Sequence, residues 1–400
     1  MTSVPKTKTP ISATAAHPSG RARDQLAVDR AIAELRRGGV VVVRAGRELD
    51  RIALITAAEM TIEGSRARLS GLAGSEPSLA ITGNRATALG MTTLAQTLTL
   101  ALSPNTTVDE ILALADPTVA PGSNLPPALA GLPVLPERED DPAAVGLRLA
   151  KLARILPCVM IATVPSVTPA GLESWAFERS LLVVERPAID AHRPETAARL
   201  VRAGDVRVPL ADAENTRLIA FRPLDGGTEH IAIQIGPDGG SDLAPQDSDT
   251  PVLVRLHSQC VTGDLLGSLR CDCGDQLRGA IRTIAEAGGG ILLYLAQEGR
   301  GIGLINKLKA YALQDLGADT VDANTSLGFD DDERVYFEAA EMLRQLGVDK
   351  VRLLTNNPRK MDHLASCGVQ VVERVSHVFP ANPHNEGYLR TKAERSGHLF

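Results

Sequence analysis

Short apolar runs alternate with stretches of helical period along most of the chain, and their lengths predict its elements. Val40 to Val43 is a run of four β-branched residues, the mark of a buried strand. Gly38-Gly39 stops the helical pattern that ends over Ile32 to Arg37. Ala144 to Ala153 has the spacing of a helix, and Cys158 to Thr163 that of a strand. Thr216 to Arg222 and His230 to Ile235 read as strands joined across a Gly-Gly turn, an antiparallel opening to the second half. Beyond them, Val252 to Leu256, Ile291 to Leu295, Val351 to Thr355 and Val369 to Val375 read as strands. Asp275 to Ala287, Lys307 to Leu316, Glu333 to Leu346 and Pro358 to Ser366 read as helices. This alternation predicts an α/β class (mixed α+β) with two domains, each a mixed sheet with flanking helices.

Four hundred residues suit two ordinary domains. Residues 1–25, rich in Thr, Ser and Pro and without an apolar core of signal-peptide type, are expected as a disordered tail. Residues 26–205 form the expected first domain and 206–400 the second. Leu132 to Pro142 is expected as an exposed loop or linker, and Asp238 to Thr250 as a mobile loop.

A formal charge of -6 argues against a nucleic-acid partner. Six Phe, four Tyr and the single Trp175 leave little material for stacking bases. No apolar run approaches the ~18–20 residues that span a membrane, so no membrane partner is expected and the location reads as cytoplasmic. Five cysteines fit a reducing compartment better than a disulfide framework. Cys158, in an apolar run, reads as core, and Cys367, at a helix end, as structural.

The other three cysteines fall within fourteen residues, Cys260-(x10)-Cys271-Asp-Cys273. Three thiolates hold zinc and leave one position for water, whereas a closed structural site takes four protein ligands. Zinc lowers the pKa of that water to about 7, the condition for hydrolysis at neutral pH. The bland alternative is a structural knuckle completed by His257 or Cys367. Gln297-Glu-Gly-Arg-Gly-Ile-Gly303 lies between a strand and a helix, where backbone N–H groups and Arg300 suit phosphate; it also reads simply as a turn. Thr355-Asn-Asn-Pro-Arg-Lys360 opens a helix, with Asn357 as N-cap and room for an anion. Asp330-Asp-Asp-Glu-Arg334 reads either as the acidic first turn of the helix from Glu333 or as carboxylates that orient Arg334.

Taken together, Arg255-Leu-His-Ser-Gln-Cys-Val-Thr-Gly-Asp264 and Ser268-Leu-Arg-Cys-Asp-Cys-Gly-Asp-Gln276 resemble GTP cyclohydrolase II of riboflavin biosynthesis. The match continues through Gln297 to Leu304, Lys309 to Asp315, Leu353 to Asn357, Asn382 to Leu389 and Thr391 to Glu394, and so covers about residues 207–400. The resemblance implies one zinc per chain on Cys260, Cys271 and Cys273, with GTP as substrate and magnesium on its triphosphate. It implies GTP contacts from Arg255, Leu256, His257, Ser258, Gln259, Gln276, Glu298, Gly299, Arg300, Thr320, Thr355 and Lys360. Tyr311 is implied near the imidazole ring that opens, Asp332 as proton acceptor, and Arg334 as nucleophile toward the α-phosphate or as a stabiliser of its charge. The implied products are formate, pyrophosphate and 2,5-diamino-6-(5-phosphoribosylamino)pyrimidin-4-one, made by a homodimer. One departure stands beside the metal: Gln259 occupies a position where many members carry glutamate.

Ala31 to Val43 is faintly similar to the opening of 3,4-dihydroxy-2-butanone 4-phosphate synthase. The dense acidic run of that family is reduced in Arg44 to Ile52 to two carboxylates among three arginines. A degenerate, inactive synthase relative is therefore expected, with an unrelated α/β domain or an active synthase as alternatives. A GTP-binding regulatory protein with a structural zinc is the alternative for the second half.

Overall fold

The computed structural model of the protein describes residues 20–46, 48, 51–119, 133–236, 250–380, 383 and 395. The expected mobile loop before Thr250, most of the expected tail, parts of the segment 44–52 and the family-like runs beyond residue 381 lie outside the described residues, apart from the isolated positions 383 and 395. The first sheet has strands β1 (Val41–Arg44), β2 (Ile52–Ala57), β3 (Ser78–Thr82), β4 (Thr97–Ala101), β5 (Val134–Glu137), β6 (Cys158–Thr163) and β7 (Leu182–Glu185). Their order is β5-β4-β3-β6-β2-β1-β7, antiparallel except where β1 runs parallel to β7. Successive side chains of a strand point to opposite faces. Val40 and Val42 accordingly join one buried cluster while Val41 and Val43 join the other. A strand buried on both faces reads as an unbroken apolar run, which is why this one was legible.

The second sheet contains β8 (Val201–Arg207), β9 (Thr216–Arg222), β10 (His230–Ile235), β11 (Val252–Ser258), β12 (Gly290–Leu295), β13 (Lys350–Leu354) and β14 (Gln370–Val375). Its order is β14-β13-β11-β12-β10-β9-β8. Strand β11 runs parallel to both β12 and β13, while β8, β9 and β10 form an antiparallel flank. The architecture is the expected mixed α/β one, with two mixed sheets flanked by helices.

Some boundaries differ from expectation. Helix Gly20–Arg36 begins inside the expected tail, because Gln25, Val28, Ala31 and Leu35 recur at helical spacing and are buried. Val134–Glu137 is an edge strand where a loop was expected, its side chains mostly exposed and its pairing made with β4 alone. Every residue of strand β8 is exposed, yet the strand pairs with β9, so the second sheet takes in residues from Val201, ahead of the first strand read at Thr216.

The helix expected from Glu333 starts instead at Phe337. Ahead of it, backbone groups are taken by other partners: Arg334 N–H donates to Asp332 Oδ1, Glu333 N–H to Arg300 O, and Asp330 N–H to Glu333 Oε1. Side chains that capture local backbone groups in this way compete with helix formation. Among the described residues, no helix is long and apolar enough to cross a membrane.

Candidate active site

The carboxyl ends of the parallel strands β11, β12 and β13 open onto one cleft, where ligands gather in sheets of this kind. After Cys260 the chain makes a short π-helical turn, Val261–Leu265. That turn and the start of helix Cys273–Glu286 bring the sulfurs of Cys260, Cys271 and Cys273 within 4.8 Å of one another. Gly263 lies against all three residues. A Cβ there would stand 2.8 Å from Cys271 Sγ and 3.1 Å from Cys260 Sγ.

Hydrogen bonds from Cys271 and Cys273, and an ammonium from Lys307, hold Cys260 far below the ordinary thiol range. The bonds given to Cys260 push Cys271 up to about 11 and hold Cys273 well above the ordinary thiol range. One thiolate with two donating thiols is the protonated form of a set that a divalent cation would deprotonate. Three sulfurs form a soft, thiophilic donor set and fit a metal ion. His257 and Cys367, the alternatives for a fourth ligand, stand outside the group.

Lys307 Nζ lies 3.0 Å from Cys260 Sγ, 3.0 Å from Thr262 Oγ1 and 2.8 Å from Glu298 Oε1. Glu298 also accepts from Val261 N–H at 2.7 Å and from Gly299 N–H at 2.9 Å. Its single buried carboxylate therefore ties the glycine-rich loop to the cysteine turn. One helical turn beyond Lys307, the hydroxyl of Tyr311 is 3.5 Å from Thr262 Oγ1, with the Arg270 guanidinium over its ring at 4.9 Å. His257 is buried, with Nε2 facing Asp264 at 3.1 Å and its ring stacked on Tyr294. Gln276 accepts from Arg255 at 2.6 Å and donates to Asp272 at 2.5 Å.

The loop after β12 turns through left-handed conformations at Gly299 (φ 63°) and Arg300 (φ 58°). The latter is uncommon for a side-chain-bearing residue. Across the cleft, Arg334 makes a two-pronged pair with Asp332, its Nε donating to Oδ1 at 2.7 Å and its Nη2 to Oδ2. Burial alone would raise the Asp332 carboxyl. The charge and hydrogen bonds of Arg334, with Arg300 beyond, outweigh it and hold the group at about 2. Asn357 caps helix Pro358–Ser366 as expected, accepting from Arg359 N–H at 3.0 Å, and buried Lys360 donates to Leu256 O at 3.0 Å.

The cleft, taken out into open solvent, spans about 1110 Å³. Of the metal, substrate and catalytic residues that the resemblance implied, all line it except Leu256 and Asp332. Leu256 turns its side chain into the core on the other face of β11, and Asp332 borders an adjoining cavity with Lys360. Lys307 and Asp264 escaped the sequence reading. Lys307 carried a usable signal, four residues before Tyr311 on one helix face; Asp264 carried none beyond its closeness to Cys260.

Residues 201–376 match the model of the GTP cyclohydrolase II family. A GTP cyclohydrolase-2 of Azospirillum brasilense is 51% identical over 376 residues, covering 94% of each chain. The chain belongs to the GTP cyclohydrolase II family. A family member from Escherichia coli O9:H4 (strain HS) is 54% identical over 202 residues, which is 50% of this chain and 98% of that one. The family member from Escherichia coli thus corresponds to one half of this chain, and the Azospirillum protein to both. Among solved structures, a two-domain 3,4-dihydroxy-2-butanone 4-phosphate synthase from A. baumannii overlaps 88% of this chain and 99% of its own. Its TM-score is 0.35 and its identity 16%, a likeness too slight to carry weight.

Proposed function

We propose that this protein is a zinc-dependent GTP cyclohydrolase II that hydrolyses GTP to formate, pyrophosphate and 2,5-diamino-6-(5-phosphoribosylamino)pyrimidin-4-one, the entry to riboflavin biosynthesis. The observation that carries it is the convergence of three sulfurs in a cleft also lined by Arg300, Arg334 and Lys360. Cys260, Cys271 and Cys273 would hold the zinc, which supplies Lewis acidity and an activated water at neutral pH. Gln276, positioned by Arg255 and Asp272, offers amide groups to a guanine edge. The guanidiniums of Arg300 and Arg334 and the ammonium of Lys360 suit the triphosphate, with magnesium on its hard oxygens.

Burial pushes the Tyr311 phenol above its ordinary value, which keeps it a neutral O–H donor beside the ring that opens. At C8 one water adds and the C8–N9 bond breaks to leave a formamide, and another water then cleaves the C8–N7 bond and releases C8 as formate, the two ring nitrogens taking up protons. At the α-phosphate a third water displaces pyrophosphate. A carboxylate held near 2 is a weak base, and a guanidinium surrenders a proton only above about 12. Their two-pronged pair therefore favours Arg334 as a standing cation that stabilises charge on the phosphoryl group rather than as a covalent nucleophile.

The second half is assigned this chemistry and the first half the role of a catalytically silent synthase relative. All five cysteines are free, in keeping with a reducing cytoplasm. Exposed Leu265, Leu266, Ile305 and Leu308 support pairing of two copies through the second half. The test is product analysis of metal-replete protein with GTP and magnesium, where stoichiometric formate and pyrophosphate are expected. Failure to release formate would sink the reading. Cys271→Ser should lose both zinc and ring opening.

A further inference from the structure

The run Ser326–Arg334 leads into the Asp332–Arg334 pair, and side chains of the first half grip it on the side away from the cleft. Thr82 Oγ1 donates to Gly328 O at 2.8 Å, Asn84 Nδ2 to Phe329 O at 2.8 Å, and Arg85 Nη1 to Ser326 O at 3.1 Å. Lys151 Nζ sits between two carboxylates, 2.8 Å from Asp330 Oδ2 and 2.6 Å from Glu333 Oε1. Arg193 Nη1 donates to Glu333 O at 2.8 Å. The Lys151 side chain is 18% exposed and that of Glu333 11%, so solvent screens this pair far less than a surface one.

The geometry of the run explains why such contacts matter at the cleft. Residues 332–336 lie outside any helix or strand, so contacts from other elements hold them in place. Glu333 faces back to Lys151 while its neighbours Asp332 and Arg334 pair with each other, Arg334 reaching the cleft. Holding Glu333 by its carboxylate and its carbonyl fixes the backbone between Asp332 and Arg334.

We propose that Lys151 and Arg193, on the helices Pro142–Leu152 and Arg186–Ala198, are positioning residues for the reaction of the other half, clamping Glu333 so that Asp332 and Arg334 stay aimed at the substrate. The inference rests on the cyclohydrolase reading. It gives the first half a task in that chemistry without any chemistry of its own. A misplacement of about 1 Å at a reacting group costs up to about a hundredfold in rate, which sets the size of the expected effect.

The test is steady-state formate and pyrophosphate release by full-length, metal-replete protein. The variants are Lys151→Met, Lys151→Arg and Arg193→Met, with Glu59→Gln as a control that weakens a different contact between the halves, the Lys309–Glu59 pair. In Lys151→Met and Arg193→Met, kcat is expected to fall about tenfold or more while KM for GTP changes less than about threefold; loss in kcat without KM marks lost transition-state alignment. Lys151→Arg should recover most of the rate, and Glu59→Gln should keep it. If Lys151→Met fails to fold by circular dichroism, Arg193→Met carries the same test. A folded Lys151→Met with kcat within about twofold of the parent overturns the clamp, as does an equal loss in Glu59→Gln. A parent that releases no formate fells the cyclohydrolase reading and the clamp with it, an outcome plainly distinct from an active parent with an indifferent Lys151.

Discussion

At Gly263 a single methyl group decides whether three sulfurs converge. An added Cβ meets Cys271 Sγ at 2.8 Å and Cys273 Cβ at 2.9 Å, and both neighbours are anchored by short, stiff side chains. Gly263→Ala is expected to weaken zinc about 10- to 100-fold, the usual scale for disturbing what orients a ligand set; competition with a chelating dye measures it. A second residue-scale effect concerns protons. Burial, with Arg154 nearby, lowers His230 to about 4, and its Nδ1 accepts a hydrogen bond from Ala296 N–H, which requires a neutral ring. Burial, with Arg255, lowers His377 to about 3. In the unfolded chain both take up protons below about 6.5, whereas folded they stay neutral to about 4 or lower. Their contribution to stability is therefore complete above pH 6.5 and is lost as pH falls toward 4. Urea unfolding should show a loss of about 2 kcal/mol per histidine between pH 7 and 5, and His230→Asn should remove one share of that slope. The cysteine spacing announced the sulfur set, but nothing local announced either histidine, because burial comes from elements distant in sequence.

Helix Pro358–Ser366 illustrates an element legible from end to end. Asn357 accepts from Arg359 N–H, Pro358 needs no N–H partner at the first position, and Lys360 follows on the first turn. Asn357→Ala should cost about 1 kcal/mol of stability and raise KM for GTP, because Lys360 rides on that turn; calorimetry and kinetics check the two halves of the claim. The acidic run before Phe337 shows the opposite. Its composition suits a helical first turn. Yet Arg300, Arg193 and Lys151, from three other elements, claim its carbonyls and carboxylates. Gly301 (φ 94°) belongs to the same junction, since a Cβ there would stand 3.1 Å from the Glu333 backbone. Gly301→Ala is expected to destabilise by about 1–3 kcal/mol, the range for a strained backbone position, and to lower kcat more than it raises KM. Edge strands β5 and β8 stayed hidden for a related reason: backbone pairing defines them, while their side chains remain mostly exposed and leave no apolar alternation to read.

Across the whole molecule the two sheets share a seam with its own apolar core. Leu156 from the first half packs with Ile302, Ala310, Leu313, Ala323, Leu327 and Phe329 of the second. Buried Arg85 closes the carbonyls of Ala113 and Leu114 and reaches Ser326 across the seam. Leu156→Ala should cost about 2–5 kcal/mol, as a fully buried leucine does, and should separate the melting of the two halves in calorimetry. An unchanged single transition would mean the seam adds nothing to cooperativity. By itself the sequence determined the fold class, strands β1 and β6 of the first sheet, strands β9 to β14 of the second, and the sulfur trio. It did so because metal ligands, caps and doubly buried strands are dictated by residue type at short range. Only the tertiary structure decided that Lys307 answers the charge of Cys260, that the acidic run stays outside the helix, and that the first half grips the second beside Arg334. Those features depend on which distant groups meet in three dimensions, where a buried charge must find its partner, and no local pattern of residues encodes that meeting.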